Sequence, residues 1–426
     1  MPIEDHKINH DLRMSYRMGL CRCGMAGFTQ DFFTPFLLLL GGTEGQIGIM
    51  VSYSNIFSSI FQAASPEAIA RMRSRKKVVS LFCLLQVASL LFIIRQVFEG
   101  PVKPMAFIIP VVLFNIFGAF IVPGWMSLLS DMVRPRRWGT YFGWRNRNLG
   151  IMTIVSTIIA GLTLYAMTPI NKRLGFCMIF SVALVFCVLS WLSLRALKEP
   201  HLKVSKEDHF TFFEFIRQYR TSNFVKFTMF VAAMNFCVNL AAPFFPVLML
   251  RDLKFNYLLF AVVNTLSALT LYVTIHRWGR HADRVGNVKI IKVVSPLFCL
   301  SPLLWIINQN PVFLISVEMF SGFLWAGFNL STSNFILDAV VPAKRSRCLA
   351  YFTLIGGIGV AAGALAGGCL IPFLPQIFRY KLLTLFLISG VLRLAVGLLM
   401  PRRIKEVRPV DGISGRKLLL SMAGIR

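Results

Sequence analysis

Phe28-Thr29-Gln30-Asp31-Phe32-Phe33-Thr34-Pro35-Phe36 sits inside the first apolar run of the chain and places a carboxylate where lipid would exclude water. At an offset of 208 residues the chain reads Phe236-Cys237-Val238-Asn239-Leu240-Ala241-Ala242-Pro243-Phe244, so Pro243 matches Pro35 and Asn239 matches Asp31. Two further landmarks repeat. Asp131 and Pro135 return as Asp338 and Pro342 at an offset of 207, and Tyr141-Phe142 returns as Tyr351-Phe352 at 210. Near-constant spacing implies duplicated halves, and parallel repeats of this kind are expected to hold a substrate near the membrane midplane between them.

The composition surrounding these landmarks is that of a membrane protein. The 426 residues are 56% hydrophobic and 15% charged, with a mean hydropathy of +0.67, too apolar for a water-soluble chain of this length. A hydrocarbon core of about 30 Å takes about 20 helical residues, and runs near that length occur twelve times. They cover 23–40, 47–64, 78–94, 105–129, 149–165 and 174–194, then 227–250, 257–275, 290–307, 312–337, 349–373 and 382–400. The expected fold is an all-α polytopic membrane protein of twelve transmembrane helices in two pseudo-symmetric six-helix bundles. Its divisions are an N-terminal segment 1–22, bundles 23–194 and 227–400, a central loop 195–226 and a basic tail 401–426. In the loop, Thr211-Phe212-Phe213-Glu214 has capping-box form, with Phe213, Ile216, Arg217 and Arg220 at helical spacing, which predicts a surface amphipathic helix.

The net charge of +27 does not indicate nucleic acid, because the basic residues lie in short segments between apolar runs. Of the 45 Lys and Arg only eight fall on one side: Arg95, Lys103, Lys172, Arg173, Arg251, Lys254, Arg379 and Lys381. The rest put both termini in the cytoplasm, and the expected location is the bacterial inner membrane. Arg393 lies in the last span toward its cytoplasmic end, where a long side chain is expected to snorkel. The nine cysteines read as reduced packing residues, and Cys21-Arg22-Cys23 lacks the second pair of a metal site. No cofactor is implied.

Asp31 is the leading candidate for a proton site. An acid at helix centre costs about 2.5–3.5 kcal/mol to insert, and protonating an ordinary Asp at pH 7 costs about 4 kcal/mol. The two are comparable, so Asp31 either exchanges a proton or serves as packing glue bonded to Gln30, Asn235 or Asn239. Glu318, in the outer third of span ten, is a second proton candidate or a wetted cavity wall. Polar faces on span two (Ser52, Ser54, Asn55, Ser58, Ser59) and span ten (Asn329, Ser331, Thr332, Ser333, Asn334) require water or partners. The candidate cavity residues are Gln30, Phe28, Phe32, Asn235, Asn239, Trp125, Trp325 and Asn329. With apolar walls and one acid they suit a lipophilic or cationic solute, and the lack of Arg or Lys at mid-depth in spans one, two, four, five, seven, eight, ten and eleven disfavours organic anions.

Between spans eight and nine stands Gly279-Arg280-His281-Ala282-Asp283-Arg284-Val285-Gly286-Asn287-Val288-Lys289. It resembles the G-x-x-x-D-R-x-G-x-x-K cytoplasmic loop of the major facilitator superfamily. The resemblance implies a latch at Asp283 and Arg284, with Gly279 and Gly286 giving a tight turn, Lys289 ending the motif, and Asp131 and Asp338 partnering nearby basic residues. The first-half loop, residues 66–77, keeps the basic end without the Asp or either glycine. Span eleven adds Gly359, Gly363 and Gly367 at every fourth residue, a seam for close helix approach.

These features predict an alternating-access secondary transporter, acting as a monomer on a small-molecule substrate in contact with membrane lipids. Proton-coupled export of a lipophilic or cationic solute leads. The alternatives are proton symport of a neutral sugar or nucleoside, and a non-transporting receptor or assembly factor on the same scaffold. No Ser/His/Asp, metal-ligand or phosphate-cradling constellation occurs in the spans, and His276 and His281 flank a loop, so an enzyme is not expected.

Overall fold

The computed structural model describes residues 2–99, 102–132, 138–197, 199 and 212–407. Helices run in chain order as α1 (Pro2–Thr29), α2 (Phe33–Leu39), α3 (Glu44–Met72), α4 (Arg75–Glu99), α5 (Pro104–Met132), α6 (Trp138–Met167) and α7 (Lys172–Ala196), followed by a short α8 (Phe212–Arg217). The second series is α9 (Asn223–Asn239), α10 (Phe245–Val247), α11 (Tyr257–Val285), α12 (Asn287–Leu297), α13 (Leu300–Ile307), α14 (Pro311–Ala339), α15 (Pro342–Leu370) and α16 (Lys381–Leu399). The chain forms two compact units, Met1–Ser205 with Pro246–Val262, and Lys206–Phe245 with Val263–Arg426.

The two units repeat one packing scheme. In the first, α1 packs on α6 and α7, while α4 lies against α5 and α7; in the second, α9 packs on α15 and α16, while α12 lies against α14 and α16. Large apolar side chains point outward, among them Ile109, Val185 and Val273 at 61%, 58% and 66% exposure. Such a surface is at home in lipid rather than water.

Among the described residues, ten helices or helix pairs are long and apolar enough to cross a membrane, against twelve runs in the sequence. The two that fall short are α1–α2, which carries Gln30 and Asp31, and α3, which carries Ser52, Ser54, Asn55, Ser58 and Ser59. Their polar groups lower their hydropathy. α1 also begins well before the first expected span at residue 23, so the N-terminal segment is helical from Pro2.

Prolines set the breaks. Pro35 has no N–H for the Asp31 carbonyl, and the helix opens into a turn at 30–32 before restarting at Phe33. Pro243 does the same to Asn239, where α9 stops and a 3₁₀ turn, Ala242–Phe244, intervenes. The sequence repeat is therefore a repeat of broken helices. A third break separates α12 from α13, where Pro302 deprives the Phe298 carbonyl of its donor. Arg393 supplies one instead: its Nη1 reaches Phe298 O at 3.3 Å, Nη2 reaches Val238 O at 3.2 Å and Nε reaches Ser389 Oγ at 3.0 Å. At 4% exposure Arg393 does not snorkel to an interface; the freed Phe298 carbonyl, Val238 O and Ser389 Oγ inside the second unit hold it.

α8 corrects the expected amphipathic face. Phe213 is 82% exposed, whereas Phe215 is buried and Phe212, Ile216 and Tyr219 pack on the core of the second unit. Thr211 and most of the basic tail lie outside the described residues. The start of the tail is docked: Ile404 is buried, and Asn223 exchanges two hydrogen bonds with the Lys405 backbone at 2.7 and 3.0 Å.

The glycine seam on α15 lies on the backbone of α9. A Cβ at Gly359, Gly363 or Gly367 would stand 2.3, 2.3 and 2.2 Å from the carbonyl oxygens of Ala232, Phe236 and Leu240. Backbone contact this close leaves no flexible atom to yield. Gly363→Ala should cost about 2 kcal/mol and lower the melting temperature in detergent, whereas Gly143→Ala, with nothing within 4 Å of the new Cβ, should be neutral or raise it. Equal melting of the Gly363 variant and the parent would remove the seam from the packing account.

Candidate functional site

The break in the first span puts Gln30 on the wall of a cavity of about 290 Å³ within the first unit, lined also by Phe33, Thr34, Met50, Val51, Ser54, Asn55, Ser58, Val111 and Asn115. Its polar groups come from the α1–α2 turn, which gives Gln30, from α2, which gives Thr34, from α3, which gives Ser54, Asn55 and Ser58, and from α5, which gives Asn115. Gln30 Nε2 donates to Asn115 Oδ1 at 3.2 Å, and Asn115 Nδ2 donates to Ser54 Oγ at 3.2 Å and Val111 O at 3.0 Å. Asn55 Nδ2 donates to Val51 O at 2.8 Å. Among the described residues, Gln30 Oε1, Asn55 Oδ1 and the Ser58 hydroxyl have no protein partner. The wall thus offers uncharged acceptors and hydroxyls over an apolar floor of Phe33, Met50 and Val111, a surface for hydrogen bonding a neutral polar solute.

Asp31 adjoins this wall in the same turn. Its side chain is exposed, and no described residue hydrogen-bonds or ion-pairs with it. Gln30 is committed to Asn115, Asn235 donates to Gly356 O at 3.5 Å, and Asn239 donates back to Asn235 O at 2.9 Å. The packing-glue reading of Asp31 therefore finds no partner among the described residues. Glu318 is half-buried and accepts from Trp305 Nε1 at 3.2 Å.

The aromatic candidates are mostly packing residues. Phe28 stacks on Phe186 with centroids 6.1 Å apart, Phe32 is fully buried edge-on to Phe260, and Trp125 belongs to a core cluster with Met18, Val79 and Leu128. Buried rings cannot line a solute path in this conformation. In the second unit, Trp325 is half-buried 4.6 Å from Phe298 and Asn329 is exposed. Asn115 was missed by the sequence reading, although an amide in the middle of the apolar run 105–129 was signal enough.

A second constellation stands at the helix ends. Arg75, 4% exposed on its side chain, donates to Asp131 Oδ2 at 2.6 Å and to Ser127 Oγ at 2.9 Å. Glu199 caps the start of α4, accepting from Arg75 N at 2.6 Å, Lys76 N at 3.3 Å and Ser74 Oγ at 2.5 Å. The second unit repeats this: Asp338 accepts from Asn287 Nδ2 at 3.1 Å, and Glu406 caps α12 through Val288 N at 2.8 Å. A carboxylate at a helix N-terminus meets unpaired N–H groups and the positive end of the dipole. Glu199 and Glu406 are 207 apart, the offset of Asp131 and Asp338, so the spacing carried a signal that the sequence reading overlooked.

The loop motif itself is only partly a turn. Gly286 is buried with φ 87, a conformation that favours glycine, but Gly279 lies within α11 and its added Cβ would meet only Leu330 at 3.7 Å. In the first unit Arg73, at φ 50, makes the corresponding turn without glycine. Asp283 and Arg284 are exposed at the end of α11 with no described partner, and Lys289 is half-buried.

Two repeated helical units, paired breaks within spans and a polar cavity beside one of them define a helical membrane transporter. The sequence profile described as Major Facilitator Superfamily matches residues 23–295 and 227–422, and the chain belongs to that family. Its fold is similar to a point-mutant form of the nucleoside transporter NupG, at TM-score 0.74 and 14% identity over 93% of this chain and 100% of that one. It is also similar to a bacterial homologue of the human lysosomal transporter Spinster, at 0.61 and 13% over 95% and 98%, and to the human organic anion transporter MFSD10, at 0.62 and 14% over 92% and 99%. No curated protein matches the chain by sequence.

Asp131→Ala should cost about 2 kcal/mol, less than the full penalty for a stranded buried cation because Ser127 and Glu199 still face Arg75. Asp283→Ala should stay within about 0.5 kcal/mol. Melting curves of the two variants in one detergent test the contrast, and equal losses would contradict it.

Proposed function

We propose that the chain is an alternating-access secondary transporter for a small uncharged solute of the sugar or nucleoside class, with proton exchange at Asp31. The observation that carries this reading is the amide and hydroxyl wall of Gln30, Asn115, Ser54, Asn55 and Ser58. Its volume is near the lower end, about 300 Å³, of small-molecule pockets. A wall built to hydrogen-bond hydroxyls rejects analogues that lack them, because its own polar groups are then left unpaired. The fold likeness to a nucleoside transporter supports the class.

Asp31 supports the coupling: an accessible carboxylate with no described partner is free to take and give a proton in a low-dielectric setting. Glu318, bonded to Trp305, is the second proton site of this reading. The protein acts as a monomer in the bacterial inner membrane with both termini cytoplasmic, and the Asp283–Arg284 loop works as the cytoplasmic latch. A second reading, proton-coupled export of a lipophilic cation, is favoured by the same unpaired Asp31, but the burial of Phe28, Phe32 and Trp125 removes most of its aromatic wall.

The test uses proteoliposomes with an internal pH dye and labelled nucleosides, hexoses and lipophilic cations. A neutral solute should accumulate, its affinity falling about tenfold in Asn115→Ala and in Gln30→Ala for each lost hydrogen bond. Asp31→Asn should abolish the proton signal while solute exchange continues. Movement of cations alone would transfer the assignment to the second reading, and absence of movement for every solute would end both.

A further inference from the structure

Arg145, in the first turns of α6, is a buried guanidinium without a counter-charge among the described residues. It is 6% exposed, and no hydrogen bond or ion pair reaches it from any of them; its Nε is sealed from solvent with no acceptor. Two hydroxyls beside it share that condition. Ser15 Oγ, on α1 at 0% exposure, and Tyr141 Oη, one turn before Arg145, are likewise buried and unpartnered. The Tyr141 and Ser15 hydroxyls lie within weak hydrogen-bonding reach of each other and Arg145 is the charged neighbour of Tyr141, so the three groups occupy one place between α1 and α6.

All three can donate and the two hydroxyls can also accept, but no described Asp or Glu brings a negative charge to this place. α6 and the adjoining α7 contain no Asp or Glu, and Asp11, one turn before Ser15, is paired with His10 at 3.6 Å. Arg22, another cation of α1, is engaged elsewhere, donating to Gln86 at 3.3 Å. The guanidinium is packed tightly as well. A Cβ added at Gly19 would stand 2.6 Å from Arg145 Nη2, so the guanidinium lies directly against α1. A buried cation is tolerated where an anion and hydrogen bonds compensate it, and an unsatisfied buried donor calls for an unplaced acceptor.

We propose that Ser15, Tyr141 and Arg145 bind a small monatomic anion, chloride in the cell, which ties α1 to α6. A halide accepts from several donors at once and needs no cavity of solute size. The site is separate from the Gln30–Asn115 cavity and does not depend on the transport reading, since the anion is a resident of the fold rather than cargo.

The test is thermal unfolding of the purified full chain in detergent, titrating sodium chloride or bromide against sodium gluconate at fixed ionic strength. Halide should raise the melting temperature saturably by about 3 °C or more. Arg145→Gln should abolish the rise. The double variant Ser15→Ala/Tyr141→Phe, which keeps the guanidinium, should raise the half-saturating halide concentration about tenfold, and it decides the matter if Arg145→Gln does not fold. Equal melting in chloride and gluconate, as expected if only water fills the place, overturns the proposal. So does a halide response unchanged in the double variant.

Discussion

Lipid cannot satisfy a backbone polar group, and prolines nevertheless remove hydrogen-bond donors from inside the spans of this chain, among them Pro110 and Pro123 within the continuous α5 and Pro35, Pro243 and Pro302 at breaks. The consequences differ with what lies nearby. At Pro302 the freed Phe298 carbonyl takes Arg393, so a charge that would be costly in the membrane is held in part by the oxygen that the break releases, together with Val238 O and Ser389 Oγ. At Pro35 and Pro243 the helix instead opens into a turn. In the first unit that turn directs Gln30 to a polar cavity and leaves Asp31 exposed beside it. One backbone rule therefore accounts for a structural cation and for the candidate site.

The acids show a similar economy. The chain has 18 Asp and Glu against 45 Lys and Arg, and four of those acids stand at helix ends. Glu199 and Glu406 cap the helices that follow the basic loops, while Asp131 and Asp338 take the first side chains of those helices. The two units solve the same electrostatic problem with different residues, Arg75 in one and Asn287 in the other. In the first loop Arg73 holds the turn that Gly286 makes in the second, although that loop lacks the glycines.

The helices least suited to lipid by composition are those that line the cavity. α3 falls short as an apolar span through its serines and Asn55, of which Ser54, Asn55 and Ser58 line the cavity, and α1–α2 falls short through Gln30, Asp31 and the charged start of α1. Their deficit in hydropathy and their contribution to the site have one cause. The aromatic residues at similar sequence positions went the other way: Phe28 and Phe32 are packing residues because the rings of Phe186 and Phe260 meet them.

The sequence by itself determined the helical membrane class, the duplication, the paired prolines and the family, because hydropathy, proline and charge asymmetry act locally and leave a record at fixed spacing. It also determined the seam on α15, since small residues every fourth position can only matter against another helix. Only the tertiary structure decided which polar residues meet. Asn115 joins Gln30 across 85 residues of chain, Arg393 finds carbonyls from two other helices, and Arg145 is left beside Ser15 and Tyr141 with no described acid in reach. Hydrogen bonds and burial depend on positions that the fold brings together, and no spacing along the chain records them.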